Sequence, residues 1–262
     1  QAACEPQRML QLDGWMDTRL DRSPRVGGKR FPDTGVVVWH GAPWSVFFDV
    51  GPVGPDYQPG HAHADTLNME CSMDGARLFV DAGTFGYDHD APRRYDRSTR
   101  SHNTVCIDEA DSSEVWHIFR VGQRARTLDV RMDCDQGRLR AAAAHDGYDR
   151  LPGSPRHQRE LSVENHGRLE IRDRIAGRRT HRIEGGYLVH PEWTAVPRSS
   201  GWELRRGEKR VLVIIRSNAQ IQLALEERPY HPEFALEQPT VRLVWRWQGV
   251  PPLEVQTVVE PS

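Results

Sequence analysis

The 262-residue chain has no run of 18 apolar residues, so it offers no segment that would cross a membrane as a helix. It has no C-x-x-C pair. Its four cysteines, Cys4, Cys71, Cys106 and Cys134, stand far apart, which argues against a zinc knuckle and makes buried free thiols the expectation. Charge of one sign is missing too. The 35 Lys and Arg nearly balance 37 Asp and Glu, so no global field draws the molecule to nucleic acid or a membrane surface. The first residues lack an initiator Met and the basic-then-apolar layout of a signal peptide, and read as a processed chain or a piece of a longer one. Long helices are also scarce: after residue 35 no amphipathic stretch exceeds about ten residues.

What remains is a succession of short β-branched and aromatic runs. Residues 1–35 are polar and broken by Pro24, Gly27, Gly28 and Pro32, and read as a linker with a short helix over 9–20. From residue 36 to 262 the pattern is that of one all-β domain. Strands are expected over 36–40, 44–50, 67–73, 77–81, 103–107, 125–132, 138–145, 159–164, 169–175, 183–189, 202–205, 211–216, 221–225, 241–248 and 253–259. Several alternate with period two; Leu161 and Val163 fall on one face, with Glu160, Ser162 and Glu164 on the other. Asp74-Gly75, Asp135-Gln136-Gly137 and Asn165-His166-Gly167 mark turns. An antiparallel sandwich of two or more sheets follows. One stretch breaks the rhythm: residues 83–101 are long, polar and aromatic, as functional loops are.

The chemistry-bearing residues gather around that loop. In Gly60-His61-Ala62-His63-Ala64-Asp65, two histidines lie two apart, a spacing that in extended chain turns both imidazoles to one side. Asp81 closes an apolar run and His102 opens another. Two imidazoles and one carboxylate drawn from this group form an N,N,O set of the kind zinc takes. Between them, Arg93-Arg94-Tyr95-Asp96-Arg97-Ser98-Thr99-Arg100 carries four guanidinium groups, which suit carboxylates or sulfates, beside a phenol.

These motifs occur in a familiar order: Phe31-Pro32-Asp33-Thr34-Gly35, Gly60 to Asp65, Val80-Asp81-Ala82-Gly83-Thr84, Tyr95-Asp96-Arg97-Ser98-Thr99, His102-Asn103-Thr104-Val105, and later Gly185-Gly186-Tyr187-Leu188-Val189-His190-Pro191. Together they resemble the C-terminal half of heparinase II/III-like polysaccharide lyases, a family that includes alginate and oligoalginate lyases. The resemblance implies a multilayered antiparallel β-sandwich that follows an N-terminal helical toroid, a partner domain that residues 1–35 are too short to form. It implies Zn2+ on His63, Asp81 and His102, an active-site His61, and a helping tyrosine for which Tyr87 and Tyr95 are both candidates. The implied reaction is β-elimination on an acidic polysaccharide or oligosaccharide. Charge alone nominates Arg97 or Arg100 to neutralise the substrate carboxylate, with Asn103 a further substrate-binding candidate, and the substrate class implies a periplasmic or secreted protein. Two other readings stand beside this one. A cupin-type metal site also uses H-x-H, but Glu70 lies too far from His63 to fit it. A non-catalytic, acidic-carbohydrate-binding sandwich that keeps the zinc would need no toroid.

Overall fold

Period-two burial decides which side of each strand faces the core. In the strand Arg156–Glu164, residues His157, Arg159, Leu161 and Val163 are buried and the intervening ones are less so. The same alternation recurs through a computed structural model that describes residues 26–88, 90–135 and 137–262. The linker helix expected over 9–20 and Cys4 lie outside the described residues. In chain order the strands begin with β1 (Gly27–Phe31), β2 (Val36–His40), β3 (Trp44–Asp49), β4 (Met69–Met73) and β5 (Ala76–Phe79). The helix α1 (Ala91–Arg97) follows, then β6 (Val105–Ile107), β7 (Val115–Trp116), β8 (Arg120–Val121), β9 (Thr127–Cys134), β10 (Arg138–His145), β11 (Arg156–Glu164) and β12 (Leu169–Ala176). The chain ends with β13 (His181–Leu188), β14 (Thr194–Arg198), β15 (Gly201–Arg206), β16 (Lys209–Ser217), β17 (Gln222–Glu233), β18 (Leu236–Gly249) and β19 (Leu253–Pro261).

Three larger antiparallel sheets result. One has the order β1-β2-β3-β4-β5, one β14-β15-β16-β19-β12-β11-β10-β9, and one β17-β18-β13-β6. Residues of all three, among them Trp44, Phe48, Leu161, Ile171, Val213, Tyr187 and Trp245, pack into one apolar core, as the sandwich expectation requires. Each such buried side chain contributes on the order of 1.5–3 kcal/mol. The five-stranded and four-stranded sheets meet at a seam, where Phe79 bridges Val189 and the Val80 amide donates to Leu188. Because Phe79 faces the core, Val80 faces outward. There it joins Ala82, Leu188 and Tyr230 in a second, small cluster on which Tyr95 packs. The candidate site residues Asp81 and His102 follow from this seam.

Two departures from the sequence expectation are instructive. β1 lies inside the stretch read as linker; Gly28, Lys29 and Arg30 carry no alternation, and the strand exists because β2 pairs with it from Gly27↔His40 to Phe31↔Val36. The long stretch 83–101 is not all loop. It holds α1, capped by Asp90, whose side chain accepts from the Arg93 amide at 3.0 Å, with Pro92 in the first turn. Cys71 and Cys106 are buried free thiols, as expected, whereas Cys134 is an exposed one.

Candidate functional site

α1 is short, but its i, i+4 spacing puts Arg93 and Arg97 on one face, and both are buried. Arg97 is spent on backbone. It donates to the carbonyls of Ala62 (3.1 Å), Trp116 (3.2 Å), His117 (3.0 Å), Ile118 (3.3 Å) and Arg120 (3.0 Å). These carbonyls belong to irregular chain or to a two-residue strand pair, where no sheet ladder satisfies them all. Arg93 donates to the carbonyls of Ile118 (3.1 Å) and Gly60 (3.2 Å) and lies 3.3 Å from His63 Nε2. Burial, and then the neighbouring Arg93 charge, lower the Arg97 guanidinium to about 10. Helix α1 therefore fixes the segment carrying both histidines of the H-x-H motif.

The two imidazoles do not share one space, contrary to the extended-chain expectation. Residues Pro59–His61 form a single 3-10 turn and the chain becomes extended only at Ala62. His63 consequently turns inward, and His61 stays at the surface. His63 meets His102, with ring centroids 5.3 Å apart, and ligand atoms of His63, Asp81 and His102 all lie within 4.8 Å of one another. His102 Nδ1 is 2.6 Å from Asp81 Oδ2. Asn68 Nδ2 donates to the same oxygen at 2.9 Å, and the Gly83 amide donates to Oδ1 at 3.0 Å. Gly83 is required in this turn. Its φ is +82°, and a Cβ there would stand 1.9 Å from the carbonyl oxygen of His231.

Electrostatically the trio is prepared for a cation. Burial, aided by the charge of His102, holds His63 down to about 3, so its imidazole is neutral at physiological pH. Burial would raise Asp81, but the charge of His102 and its hydrogen bond prevail and keep the carboxyl at about 2. Burial would likewise lower His102, and Asp81 outweighs it, lifting the imidazole to about 9. The Nε2 atom of His102 is buried without a hydrogen-bond partner. Two further half-buried carboxyls stand in this field. Burial raises Asp65 to about 6, and burial together with the Asp65 charge raises Asp49 to about 8. A neutral His63 and a His102 whose proton is held by Asp81 stand beside these carboxyls, a donor set in which a divalent metal would take the place of that proton.

Outside the trio, His61 Nδ1 and the Tyr87 hydroxyl are 2.9 Å apart, with the rings edge to face at 5.0 Å. Phe119 and Phe234 lie against Tyr87, at 5.6 Å and 5.5 Å. The guanidinium of Arg93 sits 4.9 Å from the Tyr87 ring centroid. Arg93 thus touches both the inner trio and the outer His–Tyr pair.

The family model described as heparinase II/III-like, C-terminal, matches residues 23–256. The chain belongs to this family. Among solved structures, a heparinase III superposes with a TM-score of 0.75 at 16% identity, covering 92% of this chain and 37% of that one. The heparan sulfate lyase HepC from Pedobacter heparinus gives 0.73 at 17% identity, with 92% and 37% covered. This heparinase II/III-like domain therefore has their fold and spans a little over a third of their length. No curated protein matches it by sequence.

Within this heparinase II/III-like site the sequence candidates separate. His63, Asp81 and His102 come together, and His61 pairs with Tyr87. Tyr95 does not join them: it packs on the small outer cluster and donates to the Pro229 carbonyl at 3.3 Å. Arg97 is not available to a substrate, because it is buried on the five carbonyls named above. Asn103 is also buried and internally used. Its amide donates to the carbonyls of Met69 (2.8 Å) and Val80 (3.0 Å), and its oxygen accepts from Leu188. Arg100 lines a separate cavity with Glu184. Asn68 and Phe119 were not among the sequence candidates, and Arg93 appeared there only as one member of the guanidinium cluster. Of these, only Arg93 carried a signal, four residues before Arg97 behind an Asp90–Pro92 helix start.

A buried polar pair supports the trio from the core side. On adjacent strands β11 and β12, Arg159 and Asp173 stand directly opposite each other and form a two-point ion pair at 2.8 Å and 3.0 Å, both fully buried. His157 Nε2 lies 2.7 Å from the same carboxylate. The remaining guanidinium nitrogen donates to the carbonyls of Leu67, at 2.9 Å, and Asn103. Leu67 is a non-glycine residue at φ 64°, and its neighbour Asn68 holds Asp81.

Proposed function

We propose that this domain is the β-sandwich portion of a polysaccharide lyase that cleaves uronic-acid-containing polysaccharide by β-elimination, with a zinc ion on His63, Asp81 and His102. The observation that carries the proposal is the surface pair His61–Tyr87 set beside the partly buried trio, with Arg93 touching both. In β-elimination the C5–H and C4–O4 bonds break, a C4=C5 double bond forms, and the proton is delivered to O4. The hydrogen bond between His61 and Tyr87 suits them to share these proton transfers, one acting on C5 and the other on O4. Zinc, when bound, supplies a fixed positive charge and ties three loops together. A polymeric acidic substrate implies a periplasmic or secreted location.

Two measurements test this. The chain, alone and within its complete polypeptide, is incubated with alginate and with heparan sulfate while near-ultraviolet absorbance is followed. The expected result is absorbance from an unsaturated uronate. Absence of the signal from the complete polypeptide on every polyuronate overturns the lyase assignment, and acidic-sugar binding without turnover would favour a non-catalytic carbohydrate-binding domain. Elemental analysis is expected to give about one zinc per chain. His63→Ala should lose the metal and lower the melting temperature, because binding and folding are coupled; a metal-free preparation with an unchanged melting temperature would remove zinc from the proposal.

A further inference from the structure

The outer face of the four-stranded sheet is covered at one end by Tyr95 and left open beside Arg100, where a cavity of about 520 Å³ lies. Strand register sets its floor. Gln222 pairs with Arg246, Arg246 with Glu184, and Glu184 with Cys106, so one row crosses all four strands on a single face. Gln248 lies in the next row and Trp247 also lines the space. Size, with several amides and charged groups converging on the space, is the attribute of a ligand site.

The charge on this face is unbalanced. Glu184, itself buried, accepts from Arg100 (3.3 Å), Arg242 (3.0 Å) and Arg246 (2.7 Å). Arg246 and Arg228 also meet Glu226. Four guanidinium groups thus share two carboxylates within this hydrogen-bonded ladder, which leaves two positive charges. The Nε atoms of Arg100 and of the fully buried Arg242 are enclosed without any partner. The surplus positive charge beside the cavity, where Arg100 and Arg246 line it, favours an anion.

We infer that this cavity is a second saccharide site, separate from the His61–Tyr87 pair, that takes an acidic oligosaccharide. Its carboxylate or sulfate meets the guanidinium groups of Arg100 and Arg246. The amides of Gln222 and Gln248 reach sugar hydroxyls. The site goes beyond the lyase proposal, since binding here needs neither the trio nor His61. It would anchor a polymer chain at a point removed from the reacting bond.

The test is equilibrium binding of the full chain to three probes: an alginate tetrasaccharide, a sulfated heparan tetrasaccharide and neutral cellotetraose. The acidic probes are expected to bind, with affinity that falls as salt rises, and the neutral one not to. Arg246→Gln should weaken acidic-probe binding by about tenfold to a hundredfold. Should that change loosen the sheet, the exposed pair Gln222→Ala with Gln248→Ala offers the same loss without touching the ladder. Binding that persists in His61→Ala supports a separate site. The inference is overturned if no acidic probe binds, if affinity is unchanged in both cavity variants, if cellotetraose binds equally, or if His61→Ala abolishes all binding. Displacement by inorganic sulfate at the probe's own concentration would reduce the cavity to a simple anion site and also overturn it. A failed near-ultraviolet assay leaves this measurement standing, and the reverse holds.

Discussion

Arg159→Met is expected to destabilise the domain by about 3–5 kcal/mol, the usual cost of leaving one partner of a buried ion pair behind. Methionine keeps much of the length and removes every donor. Asp173 would then face a fully buried setting with only His157 as partner, and the Leu67 and Asn103 carbonyls would lose a donor. Urea unfolding measures the loss, and a change below about 1 kcal/mol would contradict it. The pH dependence provides an independent check. Burial would push the Asp173 carboxyl up, but Arg159 and His157 hold it at about 2, below its ordinary 3.8. A carboxyl depressed on folding adds stability that is present above about pH 4 and is lost as pH falls through about 2. In Arg159→Met this carboxyl titrates higher, so acid unfolding should begin at a higher pH.

His61→Ala should do the opposite: stability unchanged within about 0.5 kcal/mol, because the residue is exposed, and turnover of the complete enzyme reduced by about 10²–10⁴. Tyr87→Phe should fall in the same range, since it breaks the 2.9 Å contact with His61 and removes the phenolic proton. Tyr95→Phe should retain turnover, as its hydroxyl is spent on Pro229. The rate of unsaturated-uronate formation distinguishes them. A larger loss for Tyr95→Phe than for Tyr87→Phe would mean that the wrong tyrosine has been placed beside His61.

Alternation made much of the sandwich legible. The strand expected over 138–145 is β10, and the one over 36–40 is β2. What escaped was structure that depends on partners. β1 lacks alternation and β14 contains Pro197, so each is defined by the strand beside it. β17 was expected to stop at 225 but runs on through Pro229 and Pro232 to Glu233. It is a sheet edge, where a missing amide costs little. The gathering of His63, Asp81 and His102 was legible because the ordered motifs name those residue types at those places. The roles of Arg97 and Asn103 were not, because nothing in a sequence shows which distant carbonyls lack donors. Charged and amide side chains look like ligand contacts until the backbone they satisfy is in view.

The five carbonyls gathered by Arg97 have a consequence for motion. They come from residue 62 and from residues 116–120, so one side chain links the H-x-H segment to the hairpin that carries Phe119. Neither segment can swing away alone without stranding donors of a buried cation. Native-state hydrogen exchange across 60–64, α1 and 115–121 should therefore report a single cooperative opening, with His61, His63 and Phe119 released together or not at all.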